Sequence, residues 1–376
     1  MTDTLKEIVS DEVSVGVDTE ISDKEVTATL EPLDINECIP SGIDLLNLNI
    51  SGTALGGFRK GSVVELSAEN GVGKTLFAMN LMKTCILDDR FADWKFRYID
   101  KENGANFELP PKVKERLEIY NASNMSIGLS TIERTYLTIL NWLDEGVPQI
   151  IAIDSMNAFV AEAQKNATEE NQKIVGGDKS KDLVEARLAA NAAASSRFLP
   201  LISEKLNKTG SLLILVSQFR DSMESKGLYT SYMDKQRISG GRSLPYYCSY
   251  RVVLTKGATM KKTVETGREL VQAYNINIQI IKNRGNGVFC TFQVPFRGSM
   301  LQIGNIQSMF NYLHETGFIK GKGAYFSAEW MNEGKNMLKK DFQLAVRDNP
   351  EYLAKMREAC RDVWVMEQMS LNEGIF

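Results

Sequence analysis

From residue 37 onward, short apolar runs alternate with longer segments whose apolar positions recur at helical spacing. The run SVVELSA, residues 62–68, predicts a buried strand. A glycine-containing loop follows it, and then a helix from Gly73 to about Leu87. KFRYID (95–100), PQIIAIDS (148–155) and SLLILVSQ (211–218) predict three further strands. Between them, residues 131–146 predict a helix ending at Gly146. Residues 183–206 predict a long alanine-rich helix, with Pro200 as a point of kinking. SYRVVLTK, NINIQIIKN and GVFCTFQVPF then follow at close spacing and predict antiparallel strands. This is the order of an α/β fold: a mixed, mainly parallel sheet flanked by helices, with βαβ units first and a meander later. After about residue 299 the pattern turns helical, in IQSMFNYLHETGF, KNMLKKDFQLAVRDN and EYLAKMREACRDVW, and predicts a small C-terminal α-rich domain over 299–376.

Before residue 37 the periodicity fails. Residues 1–36 hold ten acids, two lysines and no aromatic side chain, and read as an acidic, flexible segment. Their balance of -8 changes the meaning of the net charge of -4, because it leaves the remaining chain at +4. A mildly basic body is compatible with a nucleic-acid partner. The five cysteines are scattered without a C-x-x-C pair and read as reduced, mostly buried thiols. His314 is the one histidine, which argues against histidine-based hydrolysis and histidine-rich metal sites. No apolar run is long enough to span a bilayer, and the acidic start does not suit a signal peptide. The expectation is a cytoplasmic protein with no membrane partner.

Chemistry concentrates between strand and helix at Ala68-Glu69-Asn70-Gly71-Val72-Gly73-Lys74-Thr75-Leu76. Such a loop turns backbone N–H groups and a helix N-terminus toward phosphate. Gly71 and Gly73 permit close approach, Lys74 supplies charge and the Thr75 hydroxyl suits Mg²⁺. Ala68 stands where glycine is usual. If it needed a left-handed backbone, it would cost about 1–2 kcal/mol. Hydrolysis needs more than a loop: an acid near the metal, a group to orient water, and a sensor for the terminal phosphate. Asp154, ending the strand IIAID, suits the first. Glu102, just past FRYID, suits the second, and would share a face with Asp100 if that strand continued. Gln218, ending LLILVSQ, suits the third.

Together these segments resemble the RecA family of recombinases. PSGIDLLN…GGFRKGSVVELSAENGVGKT is similar to the family's lead into its phosphate loop, and YIDKENGAN, IIAIDSMNAF and LLILVSQFRDS to the strands that follow. The resemblance implies a RecA-type P-loop ATPase core over 37–298, with ATP and Mg²⁺ as cofactors. It implies Glu102 as catalytic glutamate, Asp154 with Thr75 on the metal, and Gln218 as γ-phosphate switch. IIKNRGN is similar to the segment that sends two basic residues to a neighbouring subunit's ATP, which implicates Lys282 and Arg284. GFIKGKGAYF…LAVRDNPEYLAKMREACRDVW is similar to the small C-terminal domain of the bacterial branch.

On the DNA side, residues 219–241 form a long polar loop ending in a glycine pair, a length uncommon without function. Positive charge along a backbone and wedges between bases are what an extended strand requires. Lys235, Arg237, Gly240 and Gly241 lie in this loop, and the resemblance adds Arg220 as a DNA contact and Tyr232 as a base wedge. Arg187 and Arg197, on the long helix, are further candidates, and Lys320, Lys322, Lys335, Lys339 and Lys340 could steer a duplex. The first DNA loop, beginning near Ala163, is longer than the bacterial pattern, and the N-terminus does not match the family's oligomerisation helix. Such divergence suits a phage or otherwise remote recombinase. The implied function is ATP-dependent pairing and strand exchange by a helical filament on single-stranded DNA that also binds duplex. A ring motor on the same core, or a nucleotide-gated mediator without turnover, are the alternatives.

Overall fold

The computed structural model describes residues 31–124, 127–159, 180–221, 236–238, 243–297 and 302–372. Most of the acidic segment, the first DNA loop over 160–179, and Tyr232, Lys235, Gly240 and Gly241 lie outside the described residues.

A ten-stranded sheet dominates. Its parallel part is built from β3 (Val63–Ala68), β4 (Lys95–Asp100), β5 (Leu117–Tyr120), β6 (Gln149–Asp154) and β7 (Leu212–Asp221). The short pairs β1 (Cys38–Ile39) and β2 (Phe58–Arg59) form a ribbon of their own beside it. Every residue of β3 and β6 is buried, as expected of parallel strands covered on both faces. β8 (Gln236–Ile238) pairs with the end of β7. β9 (Tyr250–Thr263), β10 (Glu269–Asn283), β11 (Thr291–Arg297) and β12 (Gln302–Ile303) complete the sheet as an antiparallel meander. The spatial order is β12-β11-β10-β9-β3-β7-β6-β4-β5.

Alternation decides which helices cover which face. Val64, Leu66 and Ala68 of β3 face the helix Lys74–Leu87, while Val63 joins the cluster under Ile132–Leu143 and Ser180–Thr209. These helices, with Asp44–Ser51 before them, are α2, α4, α5 and α1; α3 is the short Pro111–Arg116. Thr131 caps α4, its hydroxyl accepting the Arg134 N–H at 3.3 Å. Pro200 lies inside α5 without ending it. One turn of helix, α6 (Ser243–Tyr247), leads into β9.

Two features go beyond the sequence reading. The β9–β10 hairpin is much longer than the two runs that predicted it, because its outer half is exposed and carries no apolar alternation. The C-terminal region is not purely helical: α7 (Asn305–Glu315), α8 (Lys339–Asp348) and α9 (Pro350–Asn372) surround a three-stranded sheet, β13 (Lys320–Lys322), β14 (Tyr325–Ser327) and β15 (Met337–Leu338). Its core also takes in Leu45 and Leu48 of α1. Arg357 donates to Asp44 at 2.6 Å and the Trp364 indole to Asn49 at 3.0 Å, so the region is pinned to the start of the ATPase-like core.

Candidate functional site

β3 lies between β7 and β9 and is parallel to both; the chain passes from it to β4, β5 and β6 on the β7 side and reaches β9 on the other only later, so the strand order switches here. Ligands in open α/β sheets bind at the carboxyl ends of strands where the order switches. The phosphate loop leaves β3 there. Ala68 is fully buried as the last strand residue and is not among the residues with positive φ. The strain expected of a misplaced alanine is therefore absent. The left-handed positions fall on Gly71 (φ 72°) and Gly73 (φ 118°). A Cβ on Gly73 would also come within 2.9 Å of the Phe296 ring. Gly73→Ala is expected to cost about 1–3 kcal/mol of stability and to weaken nucleotide binding. A thermal midpoint and a nucleotide titration check it; wild-type values for both would refute this account of the loop.

Lys74 folds back over the loop, its ammonium donating to the carbonyls of Ala68 (3.2 Å) and Glu69 (2.8 Å). Burial pushes this ammonium below the usual lysine range, against the pull of the Glu102, Asp154 and Glu69 carboxylates. The Thr75 hydroxyl donates to Asp154 Oδ2 at 2.6 Å, and the buried Tyr98 hydroxyl donates to the same oxygen at 2.6 Å. Burial pushes the Asp154 carboxyl above the usual carboxylate range; the Thr75 and Tyr98 hydrogen bonds oppose the shift, and the Glu102 and Asp100 charges add to it. Its other oxygen, Oδ1, is buried without a hydrogen-bond partner. A buried orphan acceptor beside a threonine hydroxyl fits a divalent cation or the water around one. Thr75 and Asp154 are the residues that can hold Mg²⁺ here.

Glu102 does not continue β4. The strand ends at Asp100, whose two oxygens accept the N–H groups of Gly104 (3.1 Å) and Ala105 (2.9 Å). Asp100 thus folds the turn that carries Glu102, and the shared strand face expected from the sequence does not form. Glu102 Oε1 instead accepts from Ser155 Oγ and, at 2.7 Å, from Gln218 Nε2. Gln218 arrives by register, since it pairs with Ala68 across β3 and β7.

Lys282 and Arg284 sit elsewhere. Asn283 pairs with Tyr250, which pairs with Val64, so this end of β10 lies at the start of β3. From Val64 to Ala68 the strand advances about 13 Å, which puts the two cations at the sheet edge opposite their own phosphate loop. The Lys282 ammonium donates to the carbonyls of Pro245 (2.7 Å) and Tyr246 (3.1 Å) at the end of α6. Burial, and then the neighbouring Arg284 charge, hold it below the usual lysine range.

Among the DNA candidates, Arg220 and Arg237 are register partners where β7 and β8 close the base of the second loop. Arg187 lies in the first half of α5. Arg197 is exposed further along it, 5.3 Å from the Phe198 ring. In the C-terminal region Lys339 is half-buried over Phe310 at 4.5 Å, so it packs rather than projects. Lys320, Lys322, Lys335 and Lys340 are exposed.

The sequence reading missed Tyr98, Ser155 and Glu65. Glu65 is fully buried in the middle of β3. It accepts from Arg251 Nε at 2.6 Å on one oxygen, and from Ser67 (3.1 Å) and Ser217 (3.2 Å) on the other. The signal was present as one acid inside the apolar run SVVELSA.

A strand–loop–helix phosphate cradle, with a strand-end aspartate beside the loop threonine, defines a P-loop nucleotide-binding protein. Residues 31–299 match the model of the RecA N-terminal domain, and the chain belongs to the RecA family. It is 24% identical over 328 residues to Protein RecA of Arthrobacter sp. (strain FB24), a match covering 87% of this chain and 82% of that one. Protein RecA of Mycoplasma mobile is 25% identical over 294 residues, covering 76% and 77% respectively. The Arabidopsis thaliana protein named DNA repair protein recA homolog 3, mitochondrial, is 23% identical over 314 residues, covering 81% of this chain and 64% of its own. No described helix is long and apolar enough to cross a membrane.

Proposed function

We propose that the chain is an ATP-dependent DNA recombinase, which assembles into a filament on single-stranded DNA and pairs that strand with a homologous duplex. The observation that carries this reading is the division of the nucleotide machinery between two sheet edges. One edge has the cradle, Glu102 and Gln218; the other has Lys282 and Arg284, out of reach of their own loop. Such a site is complete only between two copies.

In this reading the loop N–H groups and Lys74 bind the phosphates. Mg²⁺, held by Thr75 and Asp154, neutralises phosphate charge when bound. Glu102 accepts a proton from the attacking water. The Gln218 amide now donates one of its two N–H groups to Glu102. A γ-phosphate drawing that amide takes a donor from Glu102, which leaves the carboxylate more basic and re-aims the chain leading into the second DNA loop. Arg220, Tyr232, Lys235, Arg237, Gly240 and Gly241 in and around that loop hold the DNA, with Arg187 and Arg197 as accessory contacts.

The test is ATP turnover against single-stranded oligonucleotides of increasing length, with Glu102→Gln as control. Turnover is expected to rise with length, saturate, and vanish in the control. Near-zero turnover at every length would replace the recombinase with a nucleotide-gated mediator.

A further inference from the structure

A cleft of about 610 Å³ opens at the sheet edge opposite the phosphate loop. Its charged lining is Arg59, Lys60 and Arg284 against one acid, Glu37. Arg59 and Arg284 are distant in sequence but line one cleft, where Tyr250 touches the backbone at Arg59 and at Gly285, next to Arg284. The Tyr250 hydroxyl accepts the Arg59 N–H at 3.2 Å, and a Cβ on Gly285 would lie 3.3 Å from the same oxygen. Both arginine side chains are exposed, and among the described residues neither forms an ion pair; Arg284 has only a 3.4 Å contact to the Tyr246 carbonyl. The Lys60 ammonium lies 5.6 Å over the Trp94 ring. The Ser203 hydroxyl, at the cleft wall, is buried without a partner.

Two guanidinium groups in one cleft repel each other, and an anion between them removes the cost. Their planar forks match phosphate oxygens better than an ammonium does. Val63, at the start of β3, also lines the cleft, which places Arg59, like Arg284, at the end of β3 away from its own loop. The second DNA loop, for its part, springs from the phosphate-loop end of β7, where Gln218 pairs with Ala68. The anion that can meet this edge is therefore on another molecule.

We propose that Arg59 is a third cation, presented with Lys282 and Arg284 to the nucleoside triphosphate held by a second copy of this chain. The inference rests on the shared-site reading above, and the experiment separates the two. Arg59→Glu is expected to lower DNA-stimulated kcat/KM for ATP by about tenfold or more, with Arg59→Lys recovering part of the loss. Nucleotide binding to the unassembled chain should stay within about twofold, since that cradle is untouched. Arg59→Glu and Lys74→Ala are then mixed in equal amounts on single-stranded DNA. Turnover well above either variant alone is expected, because a Lys74→Ala copy brings an intact Arg59 to the intact cradle of its neighbour.

Lys282→Ala mixed with Lys74→Ala is the reference. Recovery there but not with Arg59→Glu would overturn the role of Arg59 and leave the shared site standing. Recovery in neither mixture would overturn both. Wild-type turnover by Arg59→Glu alone would overturn the inference. So would weaker DNA binding without nucleotide at an unchanged KM for ATP, since Arg59 would then be a DNA contact.

Discussion

Lys74→Ala is expected to reduce DNA-stimulated ATP turnover by about 10²–10³-fold or more, since one preorganised stabiliser of developing charge has that weight. The structure sharpens the expectation. Lys74 is nine-tenths buried or better, and among the described residues it is the one cation aimed at the loop carbonyls. Lys282 and Arg284 lie at the opposite end of β3 from the phosphate loop, so neither can substitute for Lys74 within its own copy. Burial already holds this ammonium below its usual range, and phosphate is the partner that repays its desolvation. The fold should survive, because the alanine removes a buried charge whose desolvation is costly. Steady-state turnover and circular dichroism of the same sample check both halves. Turnover within about tenfold of wild type would remove Lys74 from the mechanism.

Glu65→Ala is expected to be the most destabilising single change outside the site, by about 3–5 kcal/mol. The carboxylate is fully buried, and removing it leaves the partly buried Arg251 without its partner and the Ser67–Ser217 pair without an acceptor. Pairing explains how the acid is tolerated: Glu65 and Arg251 are direct neighbours across β3 and β9, and Ser67 and Ser217 across β3 and β7. The network therefore pins three strands in register. Removing both charges together, as Glu65→Leu with Arg251→Met, should recover most of the loss, because an apolar pair carries no desolvation cost. Urea midpoints at unchanged m-value measure this. A single variant as stable as the wild type would mean that water enters this part of the core.

Much of the architecture was legible in the residues. The strands β3, β4, β6 and β7 were readable because each holds a short apolar run between polar segments; Ala68 and Asp154 end theirs as expected, whereas β7 continues past Gln218 to Asp221, because pairing with β8 extends it into the polar segment that read as loop. Lys74 and Thr75 were legible from the loop itself. Less legible was anything whose partner is distant. Tyr98 looks like an ordinary strand aromatic until β4 and β6 pair and bring it to Asp154. Asp100 looks like a neighbour of Glu102 on one strand face until its oxygens are seen holding the turn.

Local chemistry thus determined the presence of a phosphate loop and the order of the strands along the chain, because a phosphate loop and a buried parallel strand are each specified by neighbours in sequence. Only the tertiary structure decided that Glu102 is gripped by Ser155 and Gln218, that Glu65 and Arg251 neutralise each other, and that Lys282 and Arg284 lie at the opposite end of β3 from the phosphate loop. Those outcomes depend on strand register and sheet order, which arise from pairings between segments tens to hundreds of residues apart and leave no mark in any single one of them.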